Sequence, residues 1–486
     1  MLSEELRQLV EDIQSKHAEA QTVEIKSARG GCPSKLYDTL SSFSNQDDGG
    51  IIVFGLEESS GFSVVGVYDL QDLQKHVAEQ CNQMTPKVRP VFTTAEIDGK
   101  YVLSAEIPSI DIADRPCFYS GKGRLKGSFV RVRESDEPMT EYEIYSYEAY
   151  RKEYQDEIRP VSRATMQSLD ESKVAQYLLR LKTSKQNMAH LEDNLVLELM
   201  SITREGELTL AGIMLLSLYP QAFFPQLCIV ATVMPSEEAG AVGEQGERFL
   251  DNKRIEGTLD DQLDGALAFV RTNTRTSTSI DPHTGKRTDR TDYPLEAVRE
   301  LLLNALIHRD YSVHTQGMPI QLQVFPNRLT ITNPGGIYGR LTVDELGKMQ
   351  PDTRNPVIAT AMETLGLTEN RYSGIPTVRR LMNEAGLPAP VFEDYRGEFR
   401  ATLRRTAEIS AILSDLGRAR LSDAEKSLIK FCSFRPRTRA EIAEHLGVQA
   451  PYAMRRYVKP LLEKGILKTT IPETPNSPRQ QYVLRR

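Results

Sequence analysis

The chain has no run of about 18 apolar residues, the length needed to cross a bilayer as a helix, so no transmembrane helix is expected. Its opening segment, MLSEELRQLVEDIQSKHAEA, lacks the basic-then-apolar form of a secretory leader and has the spacing of a charged amphipathic helix. Cysteine is scarce and scattered: Cys32, Cys81, Cys117, Cys228 and Cys432, with no CxxC pair. That excludes a disulfide framework and a zinc knuckle, and a reducing, cytoplasmic setting is the expectation. Histidine is sparse too. His308 and His314 lie six apart with no third ligand in sequence reach, and the other five are isolated, so no histidine metal centre is expected. Walker A, GxSxG and HExxH motifs are absent, as is any repeat of fixed period.

What is present is ordinary globular chemistry, 40% hydrophobic and 26% charged, which rules out wholesale disorder. A chain of 486 residues exceeds one hydrophobic core and predicts several domains. Charge is unevenly distributed. Residues 421–486 carry 13 Lys and Arg against 6 Asp and Glu, a net of +7, while the whole chain is −7, so the first 420 residues sum to −14. A basic end on an acidic body points to a local polyanion-binding module.

Residues 1–155 read as mixed helix and strand: a helix to about Lys16, the strand TVEIK (22–26), a helix over KLYDTLSSFSN and the buried strand IIVFGL (51–56) after DDGG. Further strands are YVLSAEI (101–107) and GSFVRVR (127–133). Helix and strand do not alternate cleanly, which favours α+β. Residues 156–407 begin with helices, an apolar segment (LTLAGIMLLSLYP) and the strand CIVATVM, pass through a polar loop or hairpin at 272–294, and continue as a long helix, then strands and Gly/Pro-rich turns. The role of the stretch before residue 294 is not readable. Residues 408–486 form a linker and a small basic unit.

The most informative segment is PLEAVRELLLNALIHRDY (294–311). It is nearly all apolar, hence a buried helix, yet Glu300, Asn304 and His308 recur every four residues along one stripe. Burying such groups costs several kcal/mol unless they are paired or engage a ligand. A Glu and an Asn one turn apart can hold a hydrated Mg²⁺ and orient a water against a phosphate.

This ExxxNAxxHRDY pattern resembles the first motif of the GHKL ATPase superfamily, in the form found in Schlafen-related bacterial regulators. The strand IQLQVF, the turn PNRLTITNPGG, RNP at 354–356, TENRYSGI at 368–375 and GLPAPVFEDYRGEF at 386–399 extend it. The resemblance implies a GHKL-like α/β sandwich binding ATP and Mg²⁺, with Asn304 as the Mg²⁺ ligand and Glu300 activating water. His308, Asn333, Gly335, Gly336 and Gly374 would complete the nucleotide pocket. The sequence departs from the superfamily twice: Asn333 in NPGG stands where relatives carry the adenine-reading Asp of DxGxG, and RYSGIP holds one glycine where relatives often show GxG.

In the N-terminal segment, Glu24 and Lys26 alternate with Val23 and Ile25 and share one side of their strand. Gly49 and Gly50 permit a tight approach, and Arg115, Lys122, Arg124, Lys126, Arg131 and Arg133 form a basic cluster able to track a phosphate backbone. The pattern EAQTVEIKSA, SSFSNQDDGGIIVFGLEES, RP and GSFVRVRES resembles the Schlafen AlbA-type domain. That resemblance implies nucleic-acid binding, with Lys26 among the contacts, and in vertebrate members a ribonuclease using Mg²⁺ or Mn²⁺. Its metal-binding carboxylates align with Glu19, Glu24 and Glu58, the last a Glu where the family has Asp, with Glu57 competing for the position.

Residues 421–486 read as three helices and a β-hairpin, a winged helix-turn-helix. Asp423 and Thr438 are candidate N-caps, Gly447 ends the second helix and Pro451 opens the third. Tyr452, Arg455, Arg456 and Lys459 are its groove-facing candidates, with Arg479 on the wing, while Pro460 should kink or end the helix. The acidic pair Asp260–Asp261 reads as solvated. The leading expectation is a homodimeric transcriptional regulator binding DNA and sensing ATP. The alternative is a metal-dependent ribonuclease acting on RNA, and a DNA remodeller driven by ATP hydrolysis is the third reading.

Overall fold

The computed structural model describes residues 1–16, 20–243, 246–274, 276–280, 287–350, 352–368, 374–405, 422–434, 437–464, 466–470 and 480–484. They form two compact units, Met1–Asp156 with Tyr338–Arg340, and Glu157–Ile337 with Leu341–Arg486. The architecture is α+β and multidomain. No helix among the described residues is long and apolar enough to cross a membrane.

The first unit runs α1 (Ser3–Lys16), β1 (Val23–Lys26), α2 (Tyr37–Ser44), β2 (Gly50–Phe54), α3 (Leu70–Asn82), β3 (Val91–Ile97) and β4 (Lys100–Ile107). It continues with α4 (Gly123–Gly127), β5 (Phe129–Val132), β6 (Ser135–Pro138) and α5 (Glu141–Arg151). Its sheet has the order β1-β2-β4-β3, with β1 parallel to β2 and the other pairs antiparallel. Both faces of β2 are covered, which explains its unbroken apolar run. Ile52 and Phe54 pack with Leu40, Phe43, Leu73 and Val77, while Val53 packs on the other side with Leu6, Val10 and Ile13 of α1. Gly49 enters β2 at φ +65°, and a Cβ there would lie 2.3 Å from the Ile107 carbonyl oxygen, so only glycine fits the turn.

The second unit runs α6 (Glu171–Ser184), α7 (Asp193–Leu199), α8 (Leu210–Leu216), β7 (Ile229–Val233), β8 (Asp251–Ile255), α9 (Leu259–Asn273), the hairpin β9 (Thr276–Ile280) and β10 (Arg287–Thr291), and α10 (Leu295–His308). Then come β11 (Ile320–Val324), β12 (Arg328–Pro334), α11 (Pro356–Thr364), α12 (Gly374–Glu384), β13 (Val391–Tyr395) and β14 (Glu398–Arg404). One sheet has the order β8-β7-β11-β12-β14-β13, and β7 pairs with β11 in parallel. A single core joins Leu178 of α6, Ile213 and Leu216 of α8, Ile229, Leu263, Leu302, Leu306, Leu322, Ile331 and Leu403. The stretch before residue 294, whose role the sequence left unread, thus supplies two strands of this sheet, one of them within the expected CIVATVM, and part of its core. Asp261 is exposed and Asp260 half-buried, and both are also paired. Lys173 Nζ lies 2.6 and 3.2 Å from their carboxylates, and Asp261 forms a capping box with Thr258 at the start of α9.

The C-terminal part contains α13 (Asp423–Phe434), β15 (Arg437–Thr438), α14 (Arg439–Leu446), α15 (Ala450–Ala453), a π-helical turn (Met454–Val458), α16 (Lys459–Glu463), β16 (Leu467–Thr469) and β17 (Gln481–Leu484). Its strands order β15-β17-β16. Thr438 caps α14 in a capping box with Glu441, and Gly447 ends it in the left-handed conformation. The first cap differs from expectation. Ser422 exchanges hydrogen bonds with Glu425, its hydroxyl reaching the free N–H, and Asp423 is the first residue of α13. Pro460 does not end the third helix. Lacking an N–H and crowding the carbonyl four residues back, it is absorbed by the widened π turn before it.

Around the end of α10, two side chains satisfy the backbone. Asn355 Nδ2 donates to the carbonyls of Ile307 and Arg309, each at 2.7 Å, closing α10. Pro356 then opens α11, whose free N–H groups on Val357 and Ile358 donate to the two oxygens of Glu157, both at 2.8 Å. Glu157 is fully buried, and burial pushes its carboxyl from 4.5 up to about 7 against the pull of those two donors. A carboxyl raised in this way adds stability below its unfolded pKa, and the contribution is lost as pH rises through 7, about 3 kcal/mol over that window. Urea unfolding at pH 5 and pH 8 should therefore show wild type losing stability relative to Glu157→Gln as pH rises. Parallel profiles would mean that Glu157 is ionised throughout.

Candidate functional site

The largely apolar character of α10 draws it into the core, with Leu301, Leu302, Leu303, Leu306 and Ile307 buried, and this carries the stripe Glu300, Asn304 and His308 into a half-buried position. Asn304 Nδ2 donates to Glu300 Oε1 at 3.3 Å. The start of α12 lies directly against this pair. A Cβ on Gly374 would stand 2.2 Å from Glu300 Oε1 and 3.1 Å from Asn304 Nδ2, so glycine lets the backbone approach the carboxylate. Burial raises the Glu300 carboxyl, only partly offset by the Arg299 cation and the Asn304 bond. One turn on, burial and then the Arg354 cation lower His308 to about 4, leaving a neutral imidazole at physiological pH.

The HRDY, NPGG and RNP segments meet beyond His308. Asp310 N–H donates to the Pro334 carbonyl at 3.0 Å, and Arg354 Nη2 donates to the Gly336 carbonyl at 3.0 Å. Arg354 Nη1 lies 3.6 Å from Asp310 Oδ2. Gly335, at φ +104°, leaves room that a Cβ would take, 2.2 Å from Arg354 Nη1 and 2.7 Å from Asp310 Cβ. Gly336 lies against Asp394, whose Oδ2 accepts the Ile337 N–H at 2.9 Å. Arg309 is buried and donates to the Thr315 and Met318 carbonyls. Asn333 is 4% exposed, and its Oδ1 has no hydrogen-bond partner among the described residues. An orphaned buried acceptor beside two glycines suits a ligand that brings its own donor. The structure brings Glu300, Asn304 and Gly374 together, and joins the segment holding Asn333, Gly335 and Gly336 to the end of α10. Sequence reasoning quoted RNP without giving Arg354 and Asn355 their tasks, and Glu157 and Asp394 carried no local signal.

In the first unit, the proposed nucleic-acid and nuclease residues separate by environment. Glu24 Oε1 lies 2.5 Å from Lys26 Nζ and Glu24 Oε2 lies 2.9 Å from Arg131 Nη2. Arg131 is buried, its Nη1 reaching Asp136 Oδ1 at 2.9 Å while the guanidinium stacks over Phe43. Asp136 in turn accepts from Thr39 and Ser42. Arg131 is therefore an internal cation and not part of a solvent-facing basic surface. Arg115 is buried as well, 2.9 Å from Asp47 and bonded to the Ile110 carbonyl. Arg124 is half-buried on Glu148. Lys122, Lys126 and Arg133 face solvent. Glu58 is exposed, and Glu19 lies outside the described residues. Among the described residues no three His, Cys, Asp or Glu side chains group as a metal site.

Tyr452, Arg455, Arg456 and Lys459 are all exposed along one stripe of the third C-terminal helix, with Ala453 and Val458 turned into the core. Arg479 lies outside the described residues.

Comparison with known proteins places three families on these parts. Residues 19–140 match the Schlafen AlbA_2 family, and residues 317–403 match the C-terminal domain of putative ATP-dependent DNA helicase recG. Residues 425–485 match the C-terminal domain of Fic-like proteins (filamentation induced by cAMP). The chain thus carries a Schlafen AlbA_2 domain and a RecG-like domain of ATPase type. No curated protein matches. Among solved structures, the DIP2311 protein from Corynebacterium diphtheriae is 21% identical over 95% of this chain and 93% of its own, with a TM-score of 0.41. The N-terminal domain of a putative ATP-dependent DNA helicase RecG-related protein from Nitrosomonas europaea is 24% identical over 27% of this chain and 92% of its own (TM-score 0.22). A Fic family protein from Desulfovibrio desulfuricans G20 is 11% identical over 68% and 86% (TM-score 0.13).

Glu300→Gln should raise the unfolding midpoint of the ligand-free chain at pH 8, because it removes a half-buried charge whose pKa burial has raised. A raised pKa means the cost grows as pH rises, so the advantage should shrink towards pH 5. A variant less stable than wild type at pH 8 would show that the charge is well compensated.

Proposed function

We propose that this chain is a nucleotide-responsive transcriptional regulator that holds ATP with Mg²⁺ in its ATPase-type domain and binds DNA through a C-terminal winged helix. The observation that carries the reading is the Glu300–Asn304 pair, half-buried on a largely apolar helix and laid against Gly374 at the start of α12. A structural role alone leaves the Glu300 charge poorly met, whereas a nucleotide site uses it.

In this reading the Asn304 carboxamide oxygen ligates Mg²⁺, whose contribution is to neutralise phosphate charge. Glu300, its basicity raised by burial, accepts a proton from a water it orients. Neutral His308 adds no competing positive charge on the same stripe. Gly335 and Gly336 keep the β12 exit free of side chains, and Arg354 holds that exit to the end of α10. The exposed stripe Tyr452, Arg455, Arg456 and Lys459 contacts phosphates and groove edges, and exposed Lys122, Lys126 and Arg133 supply a second polyanion surface on the AlbA_2 domain. A two-fold pairing of chains completes the reading, matching the two-fold symmetry of such operators.

Calorimetric titration of MgATP should give binding in wild type that Asn304→Ala loses, while Glu300→Ala keeps binding and loses hydrolysis. Absence of binding in wild type would refute the nucleotide half. For the DNA half, replacing Arg455 and Arg456 by Ala should weaken duplex binding and flatten its dependence on log salt by about one per lost phosphate contact. An unchanged salt slope would move the contact surface elsewhere.

A further inference from the structure

We infer that two copies of this chain pair edge to edge through β8, antiparallel about a two-fold axis at Asn252; this deepens the two-fold pairing proposed above and rests on it. β8 closes one end of the second unit's larger sheet, and among the described residues no strand lies beyond it. The direction of its backbone groups follows from its neighbours. Ile320 N–H donates to the Cys228 carbonyl at 3.1 Å and Met234 N–H to the Val324 carbonyl at 2.8 Å, so the even-numbered residues of β7 face β11. Ile229, Ala231 and Val233 therefore face β8, opposite Ile255, Lys253 and Asp251. Asn252 and Arg254, which lie between those three, turn their N–H and C=O groups to the open edge. Asp251 through Arg254 are exposed, whereas Ile255 is buried against Gly265 of α9.

Proteins blunt an open edge with charge, and a strand charged with one sign repels its own copy. β8 carries both signs. Because the edge groups belong to Asn252 and Arg254, a two-fold axis at Asn252 lets the two Asn252 backbones exchange both hydrogen bonds. That register sets Asp251 opposite Lys253 of the second copy, and Lys253 opposite its Asp251, on one side of the paired strands. Lys253 makes no ion pair among the described residues, and Asp251 Oδ2 accepts from Asn273 of α9 at 2.8 Å. An axis one residue further on would set Lys253 against Lys253, so the charges select the register. The antiparallel arrangement also carries exposed Phe249 and Leu250, at the start of β8, toward the far end of the second copy's strand. Exposed Tyr219 stands there, its hydroxyl donating to Glu256 at 2.6 Å. Pairing thus covers apolar side chains together with the open ladder.

The test is sedimentation velocity on the full chain over a range of concentrations, with no nucleotide or DNA present, so that failure here is distinct from failure of either binding site. Wild type should sediment as a dimer. Lys253→Glu should weaken self-association by about tenfold or more, and adding Asp251→Lys to it should restore the dimer with the charges exchanged. Asn252→Cys should link two copies by a disulfide under oxidised glutathione, since the Cα atoms of a hydrogen-bonded pair stand about 5.5 Å apart, within disulfide reach. Wild type, with its own five cysteines, gives the background. A dimer that Lys253→Glu leaves intact and Asn252→Cys does not link overturns the inference and moves the two-fold contact to another surface. A wild type that stays monomeric throughout overturns both the inference and the two-fold pairing. Where the charge variants fold poorly, the Asn252→Cys linkage decides.

Discussion

The larger unit depends on how the backbone is satisfied where α10 ends. A helix stops with carbonyls that have no partner, and the next helix starts with N–H groups equally bare. Here the carbonyls of Ile307 and Arg309 and the Ile358 N–H belong to buried residues, where water serves them poorly. Asn355 answers the carbonyls of Ile307 and Arg309, and Glu157 answers the N–H groups of Val357 and Ile358. Arg354, one residue earlier, ties the glycine turn after β12 to Asp310. Three consecutive residues, RNP, thereby join helix end, helix start and strand exit. The position of the Glu300–Asn304–His308 stripe relative to the sheet follows from this junction.

The two units treat buried charge differently. In the AlbA_2 domain the internal cation Arg131 is met by Glu24, Asp136 and the face of Phe43, and Asp136 is itself met by two hydroxyls. This network of ion pairs and hydroxyls holds a hairpin to a sheet and a helix. On α10, Glu300 has a carboxyl raised by burial and accepts from Asn304 at 3.3 Å, and on β12 the buried Asn333 Oδ1 has no hydrogen-bond partner among the described residues. Incomplete satisfaction of this kind is costly to folding, and the proposed nucleotide site draws on it.

Much of the fold was legible because it is written in local periodicity. The run IIVFGL announces a strand covered on both faces, and the alternation of Val23, Glu24, Ile25 and Lys26 assigns a face to each residue. The apolar helix with one polar stripe was equally plain, and so was the pairing of Glu300 with Asn304, since four residues is one helical turn. Thr438 and Gly447 mark their helix because caps are properties of single residues. The basic cluster 115–133 was misleading for the same reason: charge can be counted along the chain, but burial cannot. Arg115 and Arg131 went inside and Lys122 and Lys126 did not.

By itself, then, the sequence determined the most strongly periodic helices and strands, the α+β character, and which polar residues share a helix face. Those follow from side-chain period and backbone preference, which act over a few residues. Tertiary structure alone decided that β7 and β8, drawn from the unreadable stretch, build the same sheet as β11 to β14. It alone brought Gly374 onto Glu300 across some seventy residues and set Glu157 on α11 two hundred residues away. It also left Asn333 Oδ1 without a partner among the described residues. Each of these depends on desolvation and long-range packing, whose partners are chosen by the whole core and leave no trace in local spacing.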